Sequence, residues 1–220
     1  TLTHGVATSI SLTVSASAKN AQNFANQPVV RIFDADNNLV TTGAQSTQTV
    51  ELIASSGSLG GSTAISASGG IATFSGVSLT GTAGSITLTG RVYQPQTLSA
   101  NQVIELGFGN ATKLTLETQA AGAASGIALT TQPVLRLRDS ADNIVTGVAH
   151  NVVASIDPAA SLSGATVAVN TSTGTATFTA LSISGTVGSY TLSYSIEGAS
   201  SSAVASVSQA IELTHGVAVA

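Results

Sequence analysis

Residues 27–40 read QPVVRIFDADNNLV, and residues 132–145 read QPVLRLRDSADNIV. In the first stretch Val30 and Ile32 share one parity, while Val29, Arg31 and Phe33 share the other. Alternation with a period of two is the signature of a strand buried on one face. The clusters that follow, Asp34-Ala35-Asp36-Asn37-Asn38 and Asp139-Ser140-Ala141-Asp142-Asn143, occupy the same place in the two stretches. Asp and Asn tolerate left-handed backbone and bond to nearby N–H groups, so both clusters read as hairpin connections between strands.

The correspondence extends outward from these stretches. Pro28 and Pro133 lie 105 residues apart, and Ile71-Ala72-Thr73-Phe74 returns 104 residues later as Thr175-Ala176-Thr177-Phe178. The segment Gly81–Leu88 (GTAGSITL) returns as Gly185–Leu192 (GTVGSYTL), and Ile104-Glu105-Leu106 as Ile211-Glu212-Leu213. The chain is therefore one unit of about 105 residues written twice, with small length changes in between, where loops accept them. Period-two alternation recurs at Ile10, Leu12 and Val14, at Leu114 and Leu116, at Ile86, Leu88 and Val92, and at Tyr190, Leu192 and Ile196. Gly, Asn and Ser clusters interrupt it at roughly the eight-to-twelve-residue spacing of a β-sandwich, and helical periodicity is absent. The expectation is all-β: two tandem sandwiches of about seven strands each.

The hexapeptide LTHGVA stands at 2–7 and again at 213–218, while the boundary between the copies reads LGFGNA at 106–111. These segments read as seams. The expected domains are 1–106 and 107–213, with 214–220 the start of a further repeat or a linker, as in a piece of something longer.

Composition narrows the class. Of the 220 residues, 43% are hydrophobic and only 7% charged, against about 25% charged in an ordinary globular chain, so Ser, Thr, Asn and Gln must supply the polar surface. There are five Phe, three Tyr, no Trp and no Met, which leaves Val, Ile, Leu and Ala to fill a thin core. The net charge of −4 is spread without blocks, and Lys19, Arg31, Arg91, Lys113, Arg136 and Arg138 are scattered. Nucleic acid as a partner is set aside, because phosphate neutralisation needs clustered cations. Absence of Cys removes disulfides, thiol nucleophiles and Cys-based zinc sites. No apolar run approaches the length of a membrane span.

A strand ending in Asp, a short Asp/Asn turn, Leu39-Val40 or Ile144-Val145, and a Gly-rich stretch before Ala-Thr-Phe together resemble the bacterial immunoglobulin-like repeats (Big or invasin type) of large cell-surface proteins. Gly188-Ser189-Tyr190-Thr191-Leu192 resembles the penultimate strand of those repeats, and the resemblance covers nearly the whole chain twice over. It implies that the two tandem sandwiches are immunoglobulin-like β-sandwich domains, with an extracellular, cell-surface location and partners among neighbouring repeats, like chains in a surface array, or a cell-surface ligand. The Cys pair and buried Trp of antibody domains are missing.

Candidate sites are few. Asp34, Asp36, Asp139 and Asp142 are the candidate calcium ligands, since calcium takes six to eight oxygens, several of them carboxylate. No further acid lies close in sequence, so turn chemistry is the preferred reading and no cofactor is expected. His4 and His215 are one seam position seen twice and read as polar junction residues, while His150 has no counterpart in the first copy. Lys19 and Lys113 are not equivalent positions, which argues against a shared isopeptide staple. Thr171, Thr173, Thr175, Thr177 and Thr179 alternate and read as an exposed strand. Asn110 and Asn170 match a glycosylation pattern that carries little meaning in a bacterial protein. Phe24 and Phe108 are the loop aromatics a ligand-binding module could use. No catalytic motif appears, the acids sit in turns or singly, as at Glu51 and Glu117, and no catalytic residue is assigned. The expected function is structural: spacer repeats of an exported bacterial adhesin stalk or related fibre. The alternatives are a lattice-forming S-layer or sheath component, and a ligand-binding adhesin module.

Overall fold

In the strand Val29–Phe33, Val30 and Ile32 are buried and the other three residues half-buried, as the alternation requires. The computed structural model describes residues 4–93, 96–197 and 204–216. Residues 2, 3, 217 and 218 of the two LTHGVA hexapeptides, and the end of the expected 214–220 segment, lie outside the described residues. The chain divides into two units, Thr1–Gly109 and Asn110–Ala220.

Unit 1 contains β1 (Ser9–Thr13), β2 (Ser17–Lys19), β3 (Val29–Phe33), a 3-10 turn (Ala44–Thr47), β4 (Thr49–Ala54), β5 (Ser58–Gly60), β6 (Ala64–Ser66), β7 (Ile71–Thr73), β8 (Ser78–Thr80), β9 (Gly84–Val92) and β10 (Leu98–Gly107). A three-stranded sheet of order β1-β3-β7 accompanies a five-stranded sheet of order β2-β10-β9-β4-β6, and β5 pairs with β8. Pairing is antiparallel except between β2 and β10, where Ser17, Ala18 and Lys19 run parallel to Glu105, Leu106 and Gly107. The layers meet over Val30, Ile32, Val50, Leu52, Phe74, Leu79, Ile86, Leu88, Ile104 and Leu106, all buried. This is sheet-on-sheet packing, in which each inner face contributes every second residue.

Unit 2 contains β11 (Lys113–Thr118), β12 (Ala123–Ala124), β13 (Val134–Arg138), β14 (Asn151–Asp157), β15 (Ser161–Ser163), β16 (Thr166–Ala168), β17 (Thr175–Thr177), β18 (Ser182–Ser184), β19 (Gly188–Ile196) and β20 (Val207–Thr214). Its sheets run β11-β13-β17 and β12-β20-β19-β14-β16, with β15 on β18, so the strand order of unit 1 is repeated without exception. The parallel pair recurs as Ala123 and Ala124 against Leu213 and Thr214.

The sandwich is as expected, but among the described residues ten strands stand in each unit where about seven are anticipated. The excess comes from the Gly-rich middle of each unit. In unit 1, Gly61, Gly69, Gly70 and Gly76 all take positive φ and cut the chain into three-residue strands. Gly70 shows why glycine is required: an added Cβ would lie 2.3 Å from the Val40 carbonyl oxygen, and Gly174 stands at the same distance from the Val145 oxygen in unit 2.

Two further expectations change. The threonine alternation is not a continuous strand, since only Thr175 and Thr177 lie in β17. Asn170 breaks it: its Oδ1 accepts from the Ser172 N–H and hydroxyl, and its carbonyl accepts from the Gly174 N–H, closing a turn over residues 171–174. Phe24 is not an exposed loop aromatic. It is 2% exposed, with its N–H on the Val77 carbonyl, and it belongs to the core.

Candidate functional site: the aspartate turns

The turn after β3 closes through the Asp34 N–H on the Asn38 carbonyl (3.0 Å) and the Asn37 N–H on the Asp34 carbonyl (3.2 Å). Asn37, between them, takes φ of 64°. After β13 the same pair of bonds joins Asp139 and Asn143 (3.0 Å) and Asp142 and Asp139 (3.2 Å), with Asp142 at φ of 66°. Asn and Asp adopt this left-handed backbone more readily than other non-glycine residues, because a short polar side chain can bond locally.

The geometry separates the four candidate carboxylates into two kinds. Asp34 and Asp139 point inward, 4% and 1% exposed, and act as acceptors for the turn's own donors. Asp34 Oδ1 takes the N–H groups of Asp36 (3.0 Å) and Asn38 (2.8 Å), and Oδ2 takes the Gly5 N–H (2.6 Å) and the Asn38 side-chain amide (3.2 Å). Asp139 Oδ1 takes the N–H groups of Ala141 and Asn143 (both 2.9 Å), and Oδ2 the Asn143 amide (3.0 Å). Donors that favour the ionised form hold Asp34 down at about 2 from its ordinary 3.8, the Gly5 N–H foremost, followed by that of Asn38. Asp36 and Asp142 face outward, and Asp142 pairs with Lys113 Nζ at 2.8 Å. A cation at Asp34 would have to displace N–H donors already in place, and among the described residues no three His, Asp or Glu side chains gather around a common point.

A second fastening was not read from the sequence, although its residue opens both quoted stretches. The Gln27 amide donates to the carbonyls of Phe24 (2.8 Å) and Val77 (3.1 Å), and its oxygen accepts the Val77 N–H (2.7 Å). Gln132 repeats this on Leu129 (3.0 Å), on the Leu181 carbonyl (3.1 Å) and on the Leu181 N–H (2.9 Å). Each glutamine thus stands in for a short strand, with Pro beside it unable to donate. The recurrence of Gln-Pro at one interval was the available signal.

The remaining candidates do not converge. His4 meets Thr42, and His150 lines a small recess with Asn151 and Glu197, where Asn151 bonds to Glu197 at 2.9 Å. Glu51 accepts from Tyr93, over whose ring the Arg91 guanidinium lies at 5.9 Å. Glu117 pairs with Arg138 at 2.8 Å, which holds its carboxyl below the usual range. Lys19 and Glu105 line a shallow groove of about 570 Å³ along β2, together with Ser17, Gln22 and Asn23.

The fold and these turns define an immunoglobulin-like β-sandwich module. No family model matches the chain, and no curated protein matches it. Among solved structures it is similar to the D0-D1 domain of intimin, at 18% identity and TM-score 0.30, over 94% of this chain and 98% of that one. The Escherichia coli adhesin FdeC aligns at 16% identity and TM-score 0.42, over 97% of this chain and 67% of the other. A β-glucuronidase of Parabacteroides merdae aligns at 10% identity and TM-score 0.31, and the chain spans 24% of its length.

Proposed function

We propose that the chain is a pair of structural spacer repeats from an exported bacterial surface protein of the adhesin type. One observation carries this reading: what recurs between the units is what fastens backbone to backbone. Asp34 and Asp139, Gln27 and Gln132, and Gly70 and Gly174 keep both residue type and partner geometry. Outward positions recur less: Ser85 on Glu105 in β9 and β10 returns as Ser189 on Glu212 in β19 and β20, a pair that itself ties neighbouring strands, but others change. Glu51 opposite Arg91 in β4 and β9 becomes Val153 opposite Ser195 in β14 and β19. A spacer needs only to repeat its fold, and the recurring contacts named here each join one strand or turn to another. The two fixed carboxylates serve that fold, and no bound ion is needed to explain them.

Sedimentation velocity across a wide concentration range tests the reading, with a single monomeric species expected. Assembly that grows with concentration would move the function to the lattice alternative.

A further inference from the structure

Residues 4–8 lie on unit 1 as a bound peptide would. The Gly5 N–H donates to Asp34 Oδ2 (2.6 Å), the Ala7 N–H to Gln45 Oε1 (2.9 Å) and the Thr8 N–H to the Phe33 carbonyl (2.9 Å). The Thr42 N–H donates to His4 Nε2 (3.1 Å), which also lies 2.8 Å from the Thr42 hydroxyl. Nε2 is therefore an acceptor, and the ring hydrogen is assigned to Nδ1, 3.0 Å from the Gly5 carbonyl. Ala7 is 2% exposed and Val6 is 64% exposed, so the segment offers one small side chain inward and spends its N–H groups on named acceptors.

Unit 2 carries only part of this surface: Asp139 stands where Asp34 does and the Thr112 N–H meets the Arg138 carbonyl (2.9 Å), but Thr42 and Gln45 have no counterpart. Gly43 and Gly147 mark the same turn, with φ of 74° and 73°. Unit 1 reaches it through Thr41-Thr42, whereas unit 2 reaches it from Thr146 alone, so one residue is missing where Thr42 stands. Two residues past each glycine, Gln45 is replaced by Ala149. The segment in front of unit 2 has changed as well, to LGFGNA, with Phe108 in place of histidine. Histidine is thus present with Thr42 and Gln45 and absent with them, while the aspartate is common to both units. The hexapeptide at 213–218 has the histidine form.

We propose that Asp34, Thr42 and Gln45 form a peptide-docking site selective for the His-Gly-Val-Ala segment, and that its occupant in trans is residues 215–218 of a second copy of this chain, which follow β20. In an undisturbed copy residues 4–7 fill the site, so exchange requires their release. The inference rests on the bonds to residues 4–8 and not on the spacer reading.

The test uses the whole chain carrying His4→Ala and Gly5→Pro, which withdraws the ring and the N–H that meet Thr42 and Asp34. Two labelled peptides are titrated: ELTHGVA, residues 212–218, and ELGFGNA, residues 105–111. Saturable binding of the first is expected, with the second at least about tenfold weaker, and with loss of binding when Asp34→Asn and Gln45→Ala are added. The unaltered chain should not bind either peptide saturably. Equal binding of the two peptides, equal binding to the altered and unaltered chains, or no binding to a variant that unfolds at the normal denaturant midpoint would each overturn the proposal. Should the variant not fold, hydrogen exchange of the unaltered chain decides: the Gly5 and Ala7 amides are expected to be protected, and exchange at free-peptide rates would refute docking.

Discussion

The two units build one strand order around different core volumes. Gly90 lies opposite Leu52 across β9 and β4, and the same pair in unit 2 is Tyr194 opposite Ala154. Large and small have changed places. A Cβ on Gly90 would sit 3.0 Å from Val30 Cγ2, so that site is already full. Tyr194 is wholly buried, with its ring 5.7 Å from that of Phe178. The polar fastenings around these cores are shared. Side-chain volume can therefore be redistributed in pairs so long as the clips hold the sheets in register, as close packing at constant total volume allows.

Transplanting one member of the pair breaks the comparison most sharply. Gly90→Tyr alone should destabilise unit 1 by about 3 kcal/mol or more, since overpacking a filled core costs in this range. Adding Leu52→Ala should restore about 1–3 kcal/mol of that loss, a coupling readable in a double-mutant cycle by denaturant unfolding. Strict additivity of the two changes would show that they do not share one space.

Removing a shared clip should cost somewhat less. Asp139→Ala strands the N–H groups of Ala141 and Asn143 and should lower the stability of unit 2 by about 2–3 kcal/mol, whereas Asp36→Ala, on an exposed carboxylate, should fall within about 0.5 kcal/mol of the parent. Equal effects would refute the division of the turn acids into inward and outward kinds.

The smallest effect is a gain. The Tyr194 hydroxyl is buried without a hydrogen-bond partner among the described residues, and burial pushes its ionisation above the ordinary value. Tyr194→Phe removes an unpaired polar group at nearly constant volume and should stabilise unit 2 by about 1 kcal/mol, measured as a rise in the denaturant midpoint. A loss of stability would mean that the hydroxyl has a partner in solution.

Much of this was legible in sequence because it is local. Period-two alternation places Val30, Ile32, Ile86 and Leu88 inward, and all four are buried. The duplicated Asp/Asn clusters are turns with matching hydrogen bonds. What escaped depends on distant partners. Gln27 fastens to Val77, fifty residues away, and nothing near Gln27 in sequence indicates that target. Asp34 and Asp36 look alike as letters, and only the closed turn with left-handed Asn37 sends one inward and the other out. Phe24 reads as loop because its neighbours lack alternation, yet the pairing of its N–H with Val77 carries the ring into the core.

The role of the aspartate turn is open to one direct measurement, an NMR titration of the Asp34 side-chain carboxyl with and without calcium. A carboxylate held by turn N–H groups predicts a midpoint of about 2, against the ordinary 3.8, with no displacement by calcium. Because the folded value is depressed, the stability Asp34 contributes is fully present above the unfolded value and is lost as pH falls through about 2. A midpoint at the ordinary value, or a resonance moved by calcium and restored by chelator, would contradict a structural role for the turn.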